Sequence, residues 1–239
     1  QEQHQAHVDR INAVQEGWTA KVYKHLVNKT KAQLSQMSGI RRGGVKATKP
    51  IESFLQLETH SEAKARVRSF PTDFDWRNKD GKDYVQNPVD QGSCGSCYVV
   101  ASMSMMTARR RILEDDPKAE AFSAQFPLFC GEYNQGCDGG YPELVAKWGH
   151  DVGLLPESCA AYDVDDPSCK VTCDINGVDK YKVGEYGYIG GYYGASTEAA
   201  MMQELRDKGP FVVGVEPQAD FMYYTDGIYQ RGEIGRASC

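Results

Sequence analysis

The stretch Gln91-Gly-Ser-Cys-Gly-Ser-Cys97-Tyr98 decides the fold, because it joins a tight Gly/Ser turn to a long apolar helix. A cysteine at the start of a helix lies at the positive end of the macrodipole, which favours the reactive thiolate. Cys97 is therefore predicted to be a nucleophile. The side-chain amide of Gln91 is predicted to stabilise the oxyanion that forms when such a nucleophile attacks a carbonyl.

The spacing of Cys94 and Cys97, taken alone, also has other interpretations. It could be a redox disulfide, half of a zinc site, or a structural thiol followed by a nucleophile. A redox pair of this kind usually lies in a βαβ unit, which this sequence does not show. A zinc site needs a second closely spaced pair, whereas Cys130 and Cys137 are separated by six residues. No metal site is predicted.

Composition is that of a globular protein, with 41% hydrophobic and 25% charged residues in a chain of 239. No apolar run approaches the ~20 residues of a membrane span. Residues 1–70 carry 12 Lys and Arg against 6 Asp and Glu, and residues 71–239 carry 15 against 27. This asymmetry indicates either two separately solvated pieces or a basic prosegment attracted to an acidic body. An acidic body without a basic, aromatic-interleaved patch argues against nucleic-acid binding.

Periodicity along the chain predicts helices first and strands second, which is typical of the α+β class with two segregated lobes. A helix is predicted over residues 6–38, with Gly39 as its stop. The helix after Cys97 carries two apolar stripes, and shorter helices are predicted over Pro142–Trp148 and Thr197–Lys208, the latter capped by Ser196. Strands are predicted over Tyr181–Tyr193, Phe211–Glu216 and Phe221–Tyr229, the last around an Asp226-Gly227 turn.

Three separated blocks resemble the papain family of cysteine peptidases: Asp75-Trp-Arg77, Gln91 to Tyr98, and Cys137-Asp-Gly-Gly-Tyr141. Within that family the flanking chain is most similar to the dipeptidyl peptidase I branch. The resemblance implies a papain-like fold with a helical left lobe and a β-rich right lobe, the latter incomplete here. It also implies a helical prosegment over residues 1–69, ending by cleavage after Arg66 or Arg68, and a peptidase domain over residues 70–239.

The resemblance implies peptide hydrolysis through an acyl-enzyme, with an extended substrate pairing along one backbone edge. That edge is formed by Gly139, Gly140 and Tyr141. The implied disulfides are Cys94–Cys137, Cys130–Cys169 and Cys159–Cys173. Cys97 then keeps a free thiol for catalysis, and Cys239 has no assigned partner.

Members of the family also need a histidine and an asparagine. After residue 70 the one histidine is His150, which does not match the catalytic block and is predicted to lie on the surface near a helix end. The sequence is therefore expected to end before the catalytic His and Asn. A separate light chain, truncation of the sequence, or a naturally inactive relative would each explain this.

The dipeptidyl peptidase I branch further implies an upstream exclusion domain and a chloride near two tyrosines. Tyr188 matches one of them, but Glu143 stands where the other is expected, which argues against chloride. No other cofactor is expected.

Asn28 is a candidate glycosylation site, and eight cysteines indicate an oxidising compartment, here the lysosome or the secretory route. Peptides are the expected partners, together with a light chain, and assembly with further copies of the chain stays open. An endopeptidase or an inactive peptidase-fold binding protein stays open.

Overall fold

The computed structural model describes residues 2–41, 60–175 and 180–230. The chain divides into two compact units. The larger unit comprises residues 36–212, and the smaller combines the residues before 36 with those from 213 onward. No helix in these described ranges is long and apolar enough to cross a bilayer.

The larger unit is built on helix α5, Cys97–Glu114, which packs against helix α6, Pro142–Asp151. One face of α5 is fully buried. Leu113, next to the last residue of this helix, is 85% exposed. From Cys97 to Ile112 no residue of α5 is exposed, so this helix is covered on most sides, as its two apolar stripes predict, and it opens to solvent at its C-terminal end. The buried residues of the core around α5 and α6 are Cys94, Tyr98, Val99, Met103, Met106, Phe122, Ala124, Leu128, Val145, Ala146 and Leu154.

Two further helices of this unit pack on each other: α4, His60–Ser69, and α7, Glu198–Lys208. The cap of α7 is Thr197, whose hydroxyl accepts the N–H of Ala200, so the prediction of Ser196 as the cap is wrong by one residue. Trp76 ties the start of the peptidase-like part to α7 by donating its indole N–H to the Leu205 carbonyl at 2.7 Å.

The smaller unit contains helix α1, Glu2–Val14, strand β1, Trp18–Ala20, helix α2, Lys24–Val27, and most of helix α3, Lys31–Gln36. Strand β2, Tyr224–Gly227, pairs antiparallel with β1. The single helix predicted over residues 6–38 is therefore wrong, because the chain leaves the helix before Trp18 and forms a strand. The buried core of the smaller unit consists of Val8, Ile11, Trp18, Ala20 and Tyr223.

The predicted strands of the second half are mostly absent from the described residues. Residues 181–193 form turns apart from one bridge between Tyr181 and Leu154. Residues 211–216 form no strand, and Val213 and Val215 are 57% and 67% exposed. The Asp226-Gly227 pair ends β2 instead of forming a hairpin, since β2 finds its partner in β1. Within the described ranges, the sheet consists of β1 and β2.

Candidate active site

Cys97 is the first residue of α5 and, among the described cysteines, the one that forms no disulfide. The structure contains the three pairs that the resemblance implied: Cys94–Cys137, Cys130–Cys169 and Cys159–Cys173. Cys239 lies outside the described residues. The disulfide alternative for Cys94 and Cys97 is therefore excluded, and the sulfur of Cys97 is left for chemistry.

The turn before Cys97 is held to the loop that contains Gly139 and Gly140. Gly92 has φ +62°, a left-handed conformation that glycine adopts without steric cost. The Gly95 N–H donates to the Cys137 carbonyl at 3.0 Å, beside the Cys94–Cys137 disulfide. The Gln91 side chain donates to the Cys94 carbonyl at 2.6 Å. These contacts bring the predicted oxyanion donor and the predicted nucleophile onto one rigid turn.

The residues Met37–Arg41, here called the covering segment, lie across this turn within the larger unit. Gln91 Nε2 donates a second bond to the Met37 carbonyl at 2.7 Å, and the Gly39 N–H donates to Cys97 Sγ at 3.1 Å. Gly140 pairs with the segment on its other side, donating to the Gly39 carbonyl at 2.8 Å and accepting from the Arg41 N–H at 3.1 Å. The covering segment thus uses the groups that were predicted to bind a substrate.

The covering segment contacts the nucleophile through a backbone N–H group. Cys97 Sγ receives a hydrogen bond from an N–H, and the carbonyl beside Gln91 is that of Met37, two residues away from Gly39. Residues Ile40 and Gly140 form a parallel bridge. In this arrangement the sulfur is occupied by the Gly39 N–H donor, and the backbone of the covering segment lies over it.

Glycines make this close approach possible. Gly39 is buried, and a Cβ added to it would overlap the carbonyl oxygen of Gly95. A Cβ on Gly139, which has φ +98°, would collide with the Gly39 carbonyl. Sequence reasoning identified Gly39 as a helix stop alone and missed its position over the sulfur. Its contact with Cys97 spans 58 residues of sequence, so no local pattern reports it.

The loop of Gly139, Gly140 and Tyr141 is shaped by a residue that sequence reasoning also missed. Asn134 Oδ1 accepts the Tyr141 N–H at 2.8 Å and would collide with a Cβ on Gly140. The Gln135 N–H donates to the Gly139 carbonyl at 3.1 Å. Asn134 thereby fixes the backbone edge on which the covering segment pairs.

Tyr98 follows the nucleophile and is fully buried. Its hydroxyl donates to the Gly136 carbonyl at 3.1 Å, which ties α5 to the loop that precedes Gly139. Burial raises the pKa of the Tyr98 hydroxyl, so the group stays a neutral donor at physiological pH.

His150 lies in the last turn of α6 and is exposed, with its Nδ1 3.0 Å from Asp151 Oδ1. Lys147 also pairs with Asp151, and these partners hold the pKa of the Asp151 carboxyl well below its usual range. In the described ranges no hydrogen bond joins His150 to Cys97. The structure therefore places this histidine on the surface, as predicted, and not as the partner of the nucleophile.

The residues suggested for chloride do not fit an anion. Tyr188 is half-buried, with its ring 5.7 Å from that of Tyr193. Glu143 lies in the first turn of α6, and its Oε2 is buried without a hydrogen-bond partner. A carboxylate whose oxygen is already desolvated repels an anion. No step through chloride is derived.

Two other sequence predictions are placed by the described residues. Asn28 is exposed at the C-terminal end of α2, where a sugar would meet no steric obstacle from burial. In the same described part of the chain, no group of three or more His, Cys, Asp or Glu side chains could hold a metal ion.

Comparisons with known proteins agree with the site. The profile described as papain family cysteine protease matches residues 70–238. A cathepsin C of Schistosoma mansoni is 38% identical over 95% of this chain. A dipeptidyl aminopeptidase 1 of Plasmodium falciparum is 24% identical over 75% of it. This chain covers 50% and 35% of those two relatives, so it spans half their length or less.

Solved structures support the fold. A procathepsin B of Trypanosoma congolense superposes with a TM-score of 0.66 at 22% identity, covering 95% of this chain and 77% of that one. A digestive procathepsin L2 of Tenebrio molitor gives 0.67 at 21% identity, covering 97% and 70%. Together with the mixed helical and two-stranded architecture, these similarities confirm the predicted α+β, papain-like fold.

Proposed function

Because the chain belongs to the papain family of cysteine proteases, we propose that it carries the nucleophile of a peptidase that removes dipeptides from free protein N-termini. The observation that carries this proposal is that Cys97, which forms no disulfide among the described cysteines, begins an 18-residue helix on the same turn as Gln91, whose amide donates to the Cys94 carbonyl. The dipeptide specificity is supported by the similarity to the cathepsin C and the dipeptidyl aminopeptidase named above.

The proposed reaction assigns one task to each of these groups. The Cys97 thiolate attacks the substrate carbonyl carbon, forming a C–S bond while the oxygen becomes negative. Gln91 Nε2, which now holds the Met37 carbonyl, would donate to that oxygen. The C–N bond then breaks, and the leaving amine takes a proton. Water finally attacks the thioester and releases the acyl product together with the Cys97 thiol.

The proton of the leaving amine must come from a histidine, oriented by a further residue such as asparagine. We propose that both lie on a light chain or a further segment of the same protein. The exposed position of His150 and the coverage of half the Schistosoma relative support this assignment. An upstream exclusion domain that captures the substrate ammonium belongs to the same proposal.

Residues 1–69 are proposed to be a prosegment and residues 70–239 the peptidase domain. The covering segment supports this assignment, since Gly39 occupies Cys97 and Met37 occupies Gln91. The proposed cleavage after Arg66 or Arg68 falls inside α4. A helix does not present an extended backbone to a protease, so α4 must unwind locally before it is cut. N-terminal sequencing of the mature enzyme tests this boundary.

The proposed setting is the lumen of lysosomes or the secretory route. The three disulfides support it, because such bonds persist in oxidising compartments. The exposed Asn28 in an Asn-Lys-Thr triplet is a candidate glycosylation site there. Release of a glycan by peptide N-glycosidase, followed by mass spectrometry, tests that modification.

The function is tested on the whole protein after activation, with dipeptidyl naphthylamides that carry a free or a blocked N-terminus. Hydrolysis of the free form alone supports dipeptide removal, hydrolysis of both supports an endopeptidase, and hydrolysis of neither supports a binding protein. An epoxysuccinyl inhibitor should label Cys97. Replacing Gln91 by Ala should lower kcat by about 100- to 1,000-fold, whereas Gln135→Ala, an exposed control, should leave it unchanged.

A further inference from the structure

We propose that Tyr162 is a positioning residue for catalysis, because its single hydroxyl bonds both ends of the turn that separates Gln91 from Cys97. The Tyr162 hydroxyl lies 3.1 Å from the Gln91 carbonyl and 2.5 Å from Ser96 Oγ. Gln91 holds the proposed oxyanion donor, and Ser96 immediately precedes the nucleophile. The inference rests on the proposed function.

The direction of these bonds follows from the number of protons available. A carbonyl can only accept, so the Tyr162 hydroxyl donates its proton to Gln91 and accepts from Ser96. Burial raises the pKa of the Tyr162 hydroxyl, which keeps that proton in place. The Tyr162 hydroxyl therefore bridges the turn by hydrogen bonds to Gln91 and Ser96.

Ser96 gives an independent reason to assign a specific role to Tyr162. It is the N-cap residue of α5 and is completely buried. A serine at an N-cap usually accepts a helix N–H with its side chain. Ser96 makes no such capping bond. Its hydroxyl is turned instead toward Tyr162, 66 residues away in sequence.

The loop around Tyr162 is itself held rigidly. The Tyr162 N–H donates to Glu157 Oε1 at 2.7 Å. The buried Gln125 side chain accepts from the Asp163 N–H at 3.0 Å and donates back to the Asp163 carbonyl at 2.9 Å. The Tyr162 hydroxyl can hold the turn in place only if the loop that carries Tyr162 is itself fixed, and these hydrogen bonds fix that loop.

A further contact of the same loop reaches the turn. The Val164 side chain lies over Gly92, where an added Cβ would be 2.8 Å from Val164 Cγ2. The turn between Gln91 and Cys97 is thus supported by packing at Gly92 and by hydrogen bonds at its two ends. Loss of the Tyr162 hydroxyl removes the hydrogen bonds and leaves the packing.

The variant Tyr162→Phe retains the ring and removes the two hydrogen bonds to Gln91 and Ser96. In the activated whole protein we expect kcat to fall about 5- to 50-fold, since two hydrogen bonds that place the reacting groups are lost. The KM should stay within about twofold, because the edge formed by Gly139 and Gly140 is untouched. The matched control is Tyr133→Phe, which deletes a surface hydrogen bond to Asp151 and should leave kcat unchanged.

A double-mutant cycle separates positioning from a general structural effect. If Tyr162 acts partly through the Gln91 side chain, Tyr162→Phe should cost a smaller factor in kcat when Gln91 is already Ala than when it is present, the remaining loss coming through Ser96 beside the nucleophile. Independent, multiplying effects would overturn the proposal, and so would a rise in KM at constant kcat.

Hydrogen exchange keeps the proposal testable if the wild-type protein hydrolyses no peptide, which would refute the proposed function alone. Backbone amides of residues 92–97 should exchange faster in Tyr162→Phe than in wild type or Tyr133→Phe. Unchanged exchange in this turn overturns the role of Tyr162.

Discussion

Replacing Gly39 by Ala should uncover the nucleophile. The added methyl group would overlap the Gly95 carbonyl, and that oxygen belongs to the backbone of a turn tied down by the Cys94–Cys137 disulfide. Because the turn is held there, we expect the covering segment to lift from it at Gly39, with the bonds of Met37 and Arg41 retained. Lifting breaks the bond from the Gly39 N–H to Cys97 Sγ and the bond from Gly140 to the Gly39 carbonyl.

The magnitude follows from these two hydrogen bonds. Each contributes roughly 0.5–1.5 kcal/mol net, so their loss weakens the closed state by about 1–3 kcal/mol. The open state then gains about 5- to 150-fold in population. If modification of Cys97 requires the open state, its alkylation by iodoacetamide should accelerate by the same factor.

The assay is the rate of Cys97 carboxamidomethylation under native conditions, read by mass spectrometry of the peptide. Ser38→Ala is the matched control, because Ser38 is exposed and adjacent in sequence. Ile40→Ala should also accelerate the reaction, since Ile40 packs against the core around α5. An unchanged rate in a folded Gly39→Ala protein, shown by an unaltered thermal transition, would refute the idea that the covering segment protects the sulfur.

Three further predictions concern stability, each measured by urea denaturation. Thr197→Ala should lower the free energy of unfolding by about 0.5–2 kcal/mol, because it removes the cap of α7; Ser196→Ala should change it by less than about 0.5 kcal/mol, and equal losses would contradict the assignment. Arg109→Met should cost roughly 1–3 kcal/mol, because the mostly buried Glu204 carboxylate loses its 2.9 Å partner and keeps the 3.3 Å contact with Lys208; Glu204→Gln in that background should recover part of the loss, and no recovery would argue against the charge explanation. Burial raises the pKa of Glu157, so its charge penalises the folded state at neutral pH, and the penalty disappears as pH falls through the raised pKa; relative to Glu157→Gln, the wild-type protein should gain stability as pH falls from neutral toward the ordinary pKa of a glutamate, and parallel pH profiles would contradict this.

The parts of the site that were predicted from the sequence are local in the chain. Cys97 and Gln91 are six residues apart and are brought together by one turn and the start of one helix. The Gly139-Gly140 loop is likewise contiguous. Short-range order of this kind depends on turn chemistry and apolar periodicity, which can be read directly from the residues.

The strands were mispredicted because a strand is stabilised by a partner that its own sequence does not name. Residues 211–216 have the apolar composition of a buried strand, yet they form no strand, and Val213 and Val215 are exposed. Trp18, assigned to a helix by its spacing, lies in β1 because β2 is available more than 200 residues later. Tertiary pairing overrides local propensity at both positions.

The register of the covering segment is set by a constraint that becomes visible only in three dimensions. A side chain at the position of Gly39 would enter the space of the Gly95 carbonyl, and its own carbonyl lies against Gly139. Shifting the segment by one residue in either direction would bring Ser38 or Ile40, each with a Cβ, into that space. Glycine at this position therefore does two things at once. It allows the backbone N–H to reach Cys97, and it forces Ile40 to be the residue that faces Gly140.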